Sequence, residues 1–143
     1  MAALSITATQ VLLVSGSHQD AVFGAAVTAG QGVYFDSVSG SWKPGQCDGT
    51  AAEAGADGYG IALCSAAAGQ RGGLALPGAK VNLGAAAGAA AGTVYALGAT
   101  AGALNPSGDM SSGNRVTPLA LGIGGNQVKI LAGAYDPGAI VPA

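Results

Sequence analysis

The sequence predicts an all-β fold, a small sandwich or barrel, from three observations. Short apolar segments alternate apolar and polar side chains with a period of two, as half-buried strands do. Clusters of Gly, Pro, Asn and Ser, which supply the backbone dihedrals of turns, bound these segments. Gly accounts for 26 of the 143 residues, so nearly every window long enough for a helix contains residues that weaken one.

Seven segments carry the strand pattern. They are residues 33–36, 59–64, 73–76, 80–83, 93–97, 116–123 and 127–131. In the first of them, period-two alternation places Val33 and Phe35 on one face of the strand and Tyr34 and Asp36 on the other. Helix is expected only as one or two turns in the Ala-rich residues 50–56 and 85–91.

A faint internal repeat divides most of the chain. Residues 29–42, AGQGVYFDSVSGSW, resemble residues 90–104, AAGTVYALGATAGAL, with Tyr34 and Tyr95 in matching places. A polar loop and then an apolar strand, GYGIAL or TPLALGI, follow each copy. Because two copies are too few for a solenoid, we predict one β-rich domain, residues 29–143, made of two related β-units at about 29–83 and 84–143.

The first 28 residues lie outside this repeat and are predicted to form an extended N-terminal arm and a first strand. SITATQVLLVS has the apolar content of a strand, and SGSHQD reads as a polar bend. The segment is either the first strand of the domain or an arm that docks on a neighbouring molecule. The sequence leaves both alternatives open, and docking on a neighbour is the preferred hypothesis.

The charge content limits the partners of the protein. Five Lys and Arg against seven Asp and Glu give a net charge of -2, which provides no basic field for nucleic acid. A chain that is 50% hydrophobic should fold, and so few charges protect it poorly against association. We therefore expect self-association, as a dimer or trimer, within a larger assembly.

The chain also lacks membrane signals. Its start has no positively charged region and only a four-residue apolar run, residues 11–14, which does not resemble a signal peptide. No apolar segment approaches the roughly 20 residues that a membrane span requires. We expect synthesis in the cytoplasm without insertion into a membrane.

The residues suited to catalysis are few. Ser17, His18 and Asp20 are the residue types of a hydrolytic triad, but triad members are assembled by the fold, and a polar bend explains their adjacency. The GIGGN segment at residues 122–126 lies between two strands, so it predicts a tight hairpin and not a phosphate-binding loop.

Metal ligands are also poorly arranged. Asp48, Glu53 and Asp57 lie in one loop, but their spacing does not match a compact calcium-binding loop. Cys47 and Cys64 are the only cysteines and His18 the only histidine, which makes a zinc site improbable. A disulfide between the two cysteines is left open, although a cytosolic protein normally keeps its thiols reduced.

Five aromatic side chains remain as candidates for ligand stacking. They are Tyr34, Trp42, Tyr59, Tyr95 and Tyr135. Aromatic residues on strands are more often core or interface residues, and these have no spacing that marks a stacking platform. The sequence therefore predicts no catalytic, cofactor-binding or metal-binding residue, no cofactor and no enzyme activity.

Several segments within residues 28–130 resemble a known protein family. They are GVYFDSVSGSWKP followed by DGT, then GYGIALCSAAAGQ, LALPGAKVNLGAA and AAGTVYALGATAG. Together they resemble the small head decoration, or cement, proteins of tailed bacteriophages, which include the lambda-type decoration proteins. In that family a strand ending in an Asp-containing turn leads into a D-G-T-like loop, and a GIAL strand and a GQ-containing turn follow. This chain differs by its greater length and its second VY unit.

The resemblance implies a structural virion protein on the capsid exterior. Such a protein binds where major capsid subunits meet on the expanded shell, and it stabilises their contacts by burying surface across several of them. The alternative is a head-fibre, tail or adhesin-type module that recognises a surface glycan or another virion protein. Saturable sugar binding without a capsid would distinguish that alternative.

Overall fold

The computed structural model describes residues 4, 6–46, 58–84, 89, 91–98, 100–106, 115–116, 118–131 and 139–140. The described residues form thirteen short strands and one 3-10 turn, Ala8–Gln10. The strands are β1 (Leu12–Ser15), β2 (His18–Val22), β3 (Gly32–Asp36), β4 (Ser41–Pro44), β5 (Tyr59–Ala62), β6 (Arg71–Ala75), β7 (Lys80–Asn82), β8 (Val94–Leu97), β9 (Leu104–Pro106), β10 (Arg115–Val116), β11 (Pro118–Gly124), β12 (Gln127–Ile130) and β13 (Ala139–Ile140). The predicted all-β fold is confirmed.

Two antiparallel sheets form a sandwich. The five-stranded sheet has the order β2-β6-β5-β3-β4, and the six-stranded sheet has the order β1-β7-β12-β11-β8-β9. Without β1, the two sheets connect their strands in the same way. When the five strands of each sheet are counted in chain order, the first pairs with the fifth, the fifth with the fourth, the fourth with the second, and the second with the third. A separate pair joins β10 to β13.

Each of the seven predicted strand segments overlaps a strand of the structure. The predicted alternation in β3 is also present. Val33 and the ring pair Phe35–Trp42 lie on one face, and Tyr34 stands opposite Tyr59 on the other. The Ala-rich residues 50–56 lie outside the described residues, as do most of residues 85–91.

The main core fills the space between the two sheets. Tyr59, Ile61 and Ala75 from the five-stranded sheet pack with apolar side chains of the six-stranded sheet. Those partners are Val81, Tyr95, Leu97, Leu104, Leu119, Ala120, Val128 and Ile130. The Tyr59 hydroxyl donates to the Leu131 carbonyl at 2.6 Å, and this bond links β5 to the residue that follows β12 of the facing sheet.

Gly32 allows the sheets to approach closely. A Cβ at this position would collide with Leu97 and would lie 3.0 Å from Cδ2 of Leu104. Both leucines are fully buried in the main core. The absence of a side chain on β3 at this point therefore leaves room for the leucines of the facing sheet.

A second, smaller core lies on the opposite face of the five-stranded sheet. Its buried members are Ala21, Phe23, Val27, Val33, Ala62 and Leu74. Half-buried Trp42, Ala66 and Leu76 pack against them. The two edges of this sheet meet where Phe23, just after β2, bridges Trp42 of β4, so the sheet curls around its own core.

The described part of the N-terminal segment packs on its own chain. The backbone amide of Leu4 donates to the Leu104 carbonyl at 2.9 Å, and that of Thr7 donates to Leu83 at 3.3 Å. Half-buried Leu4, Ile6, Val11 and Leu13 pack against the main core. The described part of this segment folds back on its own chain because its apolar side chains find partners there.

Both strands within residues 1–28 belong to the sheets. β1 pairs with β7 of the six-stranded sheet, and β2 pairs with β6 of the five-stranded sheet. The predicted polar bend at SGSHQD was wrong from His18 onward, since β2 begins there. His18, Gln19 and Asp20 are all exposed, and an edge strand tolerates polar side chains that a central strand does not.

Candidate functional site

The three residues with triad chemistry are not assembled into a catalytic site. His18 and Asp20 lie two residues apart on edge strand β2, and Ser17 precedes the strand. All three are exposed to solvent. Catalytic groups depend on partners that orient them and on exclusion of water, and exposed neighbours on one strand have neither.

The acidic loop and one of the two cysteines lie outside the described residues. Asp48, Glu53, Asp57 and Cys47 are all in that part of the chain. Cys64 is a half-buried free thiol. Within the described ranges, no three His, Cys, Asp or Glu side chains come together as metal ligands would.

The aromatic side chains serve the cores. Tyr95 is 1% exposed and Tyr59 is buried, while Trp42 and Tyr34 are half-buried. The Phe35 and Trp42 rings meet at a centroid distance of 5.3 Å and an angle of 58°, a tilted packing that favours aromatic pairs. Tyr135 lies outside the described residues. The described rings do not form an exposed stacking platform.

The GIGGN segment is the predicted hairpin. Gly124 pairs with Gln127 across the end of β11 and β12. The two residues between them, Gly125 and Asn126, both have positive φ, 63° and 62°, as a two-residue type I′ turn requires. The glycine content of this segment is explained by the turn.

A shallow cleft of about 270 Å³ lies among the described residues. Leu4 and Ile6 of the N-terminal segment form one wall, and Gln31 and Gly102 lie across from them. Its lining contains no ionisable side chain, and its volume is below the range of about 300–1,000 Å³ that is usual for ligand pockets. The cleft therefore offers no ionisable group for acid–base chemistry.

The β3–β4 turn is fixed by one carboxylate. Asp36 accepts hydrogen bonds from the Lys43 ammonium at 2.8 Å, the Ser39 hydroxyl at 3.0 Å and the Val38 amide at 3.1 Å. The bond from Lys43 and then that from Ser39 lower the pKa of Asp36 from 3.8 to about 2. At the tip of this turn, the Val38 side chain is 97% exposed.

The outer face of the six-stranded sheet, which points away from the main core, carries the most unusual surface. Val81 and Val128 point into the core, so their strand neighbours Lys80 and Lys129 point outward, and both are exposed. These lysines stand directly opposite each other across β7 and β12.

Apolar side chains flank the two lysines. Leu12 of edge strand β1 is 64% exposed, and Ile123 of β11 is 38% exposed. Half-buried Leu121 stands directly opposite Lys129 on the next strand. We call the surface formed by Leu12, Lys80, Leu121, Ile123 and Lys129 the open face. It is the candidate functional site.

Sequence reasoning did not find the open face. The strands β7, β11 and β12 were predicted, but their relative register was not, and only the register brings Lys80 and Lys129 together. The available signal was the position of each lysine between two apolar residues, in AKV and VKI. That pattern marks an outward-facing residue on a half-buried strand.

Comparison with protein-family models, with curated proteins and with solved structures finds no match for this chain. The described residues contain no helix that is long and apolar enough to cross a membrane.

Proposed function

We propose that the protein is a structural virion component that binds the outer surface of a phage capsid and stabilises contacts between major capsid subunits. The observation that carries the proposal is the open face, where exposed Leu12 and Ile123 leave apolar surface on a rigid sheet. A sheet face that exposes large apolar side chains is a candidate for a protein–protein contact. The sequence resemblance to head decoration proteins supplies the identity of the partner.

The mechanism would be stabilisation by shared burial. A sheet presents its side chains in a fixed arrangement, so little conformational entropy is lost when a partner covers them. If the bound protein contacts several shell subunits at once, the full contact can form only on the mature lattice, where those subunits lie together. Binding then stabilises that lattice by mass action. The proposal includes self-association as a dimer or trimer on the shell.

The aromatic residues give the glycan-binding alternative little support. Tyr59 and Tyr95 are buried, and Trp42 packs against the smaller core. Sugar recognition by stacking requires exposed ring faces. The shell-binding proposal therefore accounts for the described surface better.

Co-sedimentation tests this function. The purified protein is mixed with expanded shells of the encoding phage that lack this component, and with unexpanded shells as a control. We expect saturable binding to expanded shells only, with a fixed copy number per capsomer. Failure to bind either form of shell would refute the proposal, and glycan arrays would then test the alternative.

A pair of variants locates the contact. The double substitution Leu12→Ser with Ile123→Ser should weaken shell binding at least about tenfold, because it removes the apolar area of the open face. Val38→Ser is the matched control, since it removes an exposed aliphatic side chain from the other sheet. Equal weakening by both variants would show that the open face is not the contact.

A further inference from the structure

We propose that the Lys80–Lys129 pair recognises carboxylates on the protein surface that covers the open face. This inference rests on the proposed function and names the chemistry of the partner. It begins from the register of β7 and β12, in which Val81 faces Val128 and Lys80 faces Lys129. Residues directly opposite on neighbouring strands have Cβ atoms about 4.5–5.5 Å apart.

A like-charged pair at this distance destabilises the free protein. The six strands of this sheet contain no Asp or Glu. The two acidic residues within described strands, Asp20 and Asp36, both belong to the five-stranded sheet, and Asp36 already binds Lys43. The described strands therefore supply no carboxylate to the open face.

The scarcity of charge makes this placement informative. The chain has only five Lys and Arg residues, and two of them form one cross-strand pair, with Leu12 of β1 on one side and Leu121 and Ile123 of β11 on the other. A partner with carboxylates at this point would replace repulsion between the lysines with attraction to each of them. The flanking Leu12, Leu121 and Ile123 would exclude water from these contacts and strengthen them.

The occupant is therefore an acidic patch on the shell surface, bordered by apolar side chains. A nucleic acid would also offer negative charge, but its phosphates would leave the flanking leucine and isoleucine without apolar partners. A second copy of this chain is a further candidate, and the variants below exclude or establish both.

The test compares shell binding of three variants with that of the natural chain. Lys80→Gln with Lys129→Gln removes the pair, and Lys80→Arg with Lys129→Arg keeps its charge. Arg71→Gln removes an exposed positive charge from the other sheet. We expect the first to weaken binding at least about tenfold and the other two to leave it within about twofold. Binding by the natural chain should weaken when the salt concentration rises from about 50 to about 300 mM, because the screening length falls roughly 2.5-fold.

A second readout separates recognition from a structural role. If the lysines repel each other without compensation, the double Gln variant of the free protein should melt about 2 °C higher than the natural chain. We therefore expect the double Gln variant to be more stable than the natural chain but to bind shells less well. A lower melting temperature together with weaker binding would mean that the lysines support the fold, which overturns the inference.

The remaining outcomes are also decisive. If the double Gln variant binds shells as the natural chain does, the recognition by lysine is refuted while the proposed function stands. If the natural chain binds no shell, the proposed function itself fails. Lysine-dependent binding to naked DNA, or lysine-dependent self-association without shells, would overturn the assignment of a shell carboxylate as the ligand.

Discussion

The five-stranded and six-stranded sheets connect their strands in the same order, yet they differ in what covers their outer faces. In the five-stranded sheet, Phe23 and Val27 fold over the outer face and build a second core. On the outer face of the six-stranded sheet, Lys80 of β7 and Lys129 of β12 are exposed. One unit is thus closed on both faces, and the other retains an open face.

The difference shows that the order of the strands and the covering of a sheet face have separate causes. A shared strand order follows from the pairing of backbone groups, which nearly any sequence of alternating apolar residues permits. The closure of a face depends on a few large side chains from the loops, such as Phe23. A protein built from two similar units can therefore use one unit to stabilise the fold and leave the other free to bind.

The largest expected effect comes from the matched tyrosines of the two units. Tyr95 is 1% exposed in the main core, whereas Tyr34 is half-buried. Tyr95→Ala should lower the free energy of unfolding by about 3–5 kcal/mol because it leaves a large cavity. Tyr34→Ala should cost only about 1–2 kcal/mol. Urea denaturation measures both, and equal losses would contradict the different roles of the two residues.

A second test asks whether the close approach of the sheets depends on Gly32. Gly32→Ala places a methyl group against buried Leu97 and Leu104, and we expect a loss of about 1–3 kcal/mol from overpacking. Gly73→Ala is the control, because a Cβ there would meet Leu63 at an ordinary 3.5 Å. Its stability should change by less than about 0.5 kcal/mol. A neutral Gly32→Ala would show that the sheets can separate at no cost.

The hydrogen bond between the sheets should have a somewhat smaller effect. Tyr59→Phe removes the donor to the Leu131 carbonyl and keeps the ring in the core. We expect a loss of about 1–2 kcal/mol, since a part-buried acceptor is left without its partner. Thermal unfolding followed by circular dichroism would detect this change, and an unchanged midpoint would mean that water replaces the tyrosine hydroxyl.

The sequence predicted the central strands better than the edges. The burial of β12 alternates as a period of two requires, whereas β5 and β8 are located by short apolar runs between turn residues and are buried on nearly every residue. Two short edge strands, β4 and β9, were missed. Each ends in a proline, Pro44 or Pro106, which argues against a central strand but is tolerated at a sheet edge.

The open face lay beyond prediction for a different reason. Whether an outward-facing residue is exposed depends on loops that come from distant parts of the sequence, as Phe23 and Val27 do for the five-stranded sheet. The matching tyrosines indicated two related units, but a repeat in sequence does not specify which copy is covered. Only the register of β7 and β12 placed Lys80 beside Lys129.

The smallest expected effect concerns the β3–β4 turn. Because Lys43 and Ser39 hold the pKa of Asp36 at about 2, the folded state favours the ionised carboxylate. Its contribution to stability is present above the ordinary pKa of 3.8 and is lost as the pH falls toward 2. The ion pair is partly exposed to solvent, so this contribution is small.

A carboxyl titration followed by NMR tests this assignment directly. Asp36 should titrate near pH 2 in the natural chain, and Lys43→Met should raise that midpoint toward 3.8 because it removes the strongest hydrogen-bond donor to the carboxylate. Lys129→Met, a matched loss of charge on the other sheet, should leave the midpoint unchanged. If both variants raised it equally, the pKa of Asp36 would reflect the net charge of the whole protein and not the local turn. The two sheets would then be electrostatically coupled, and the difference between the closed unit and the unit with the open face would not extend to charge.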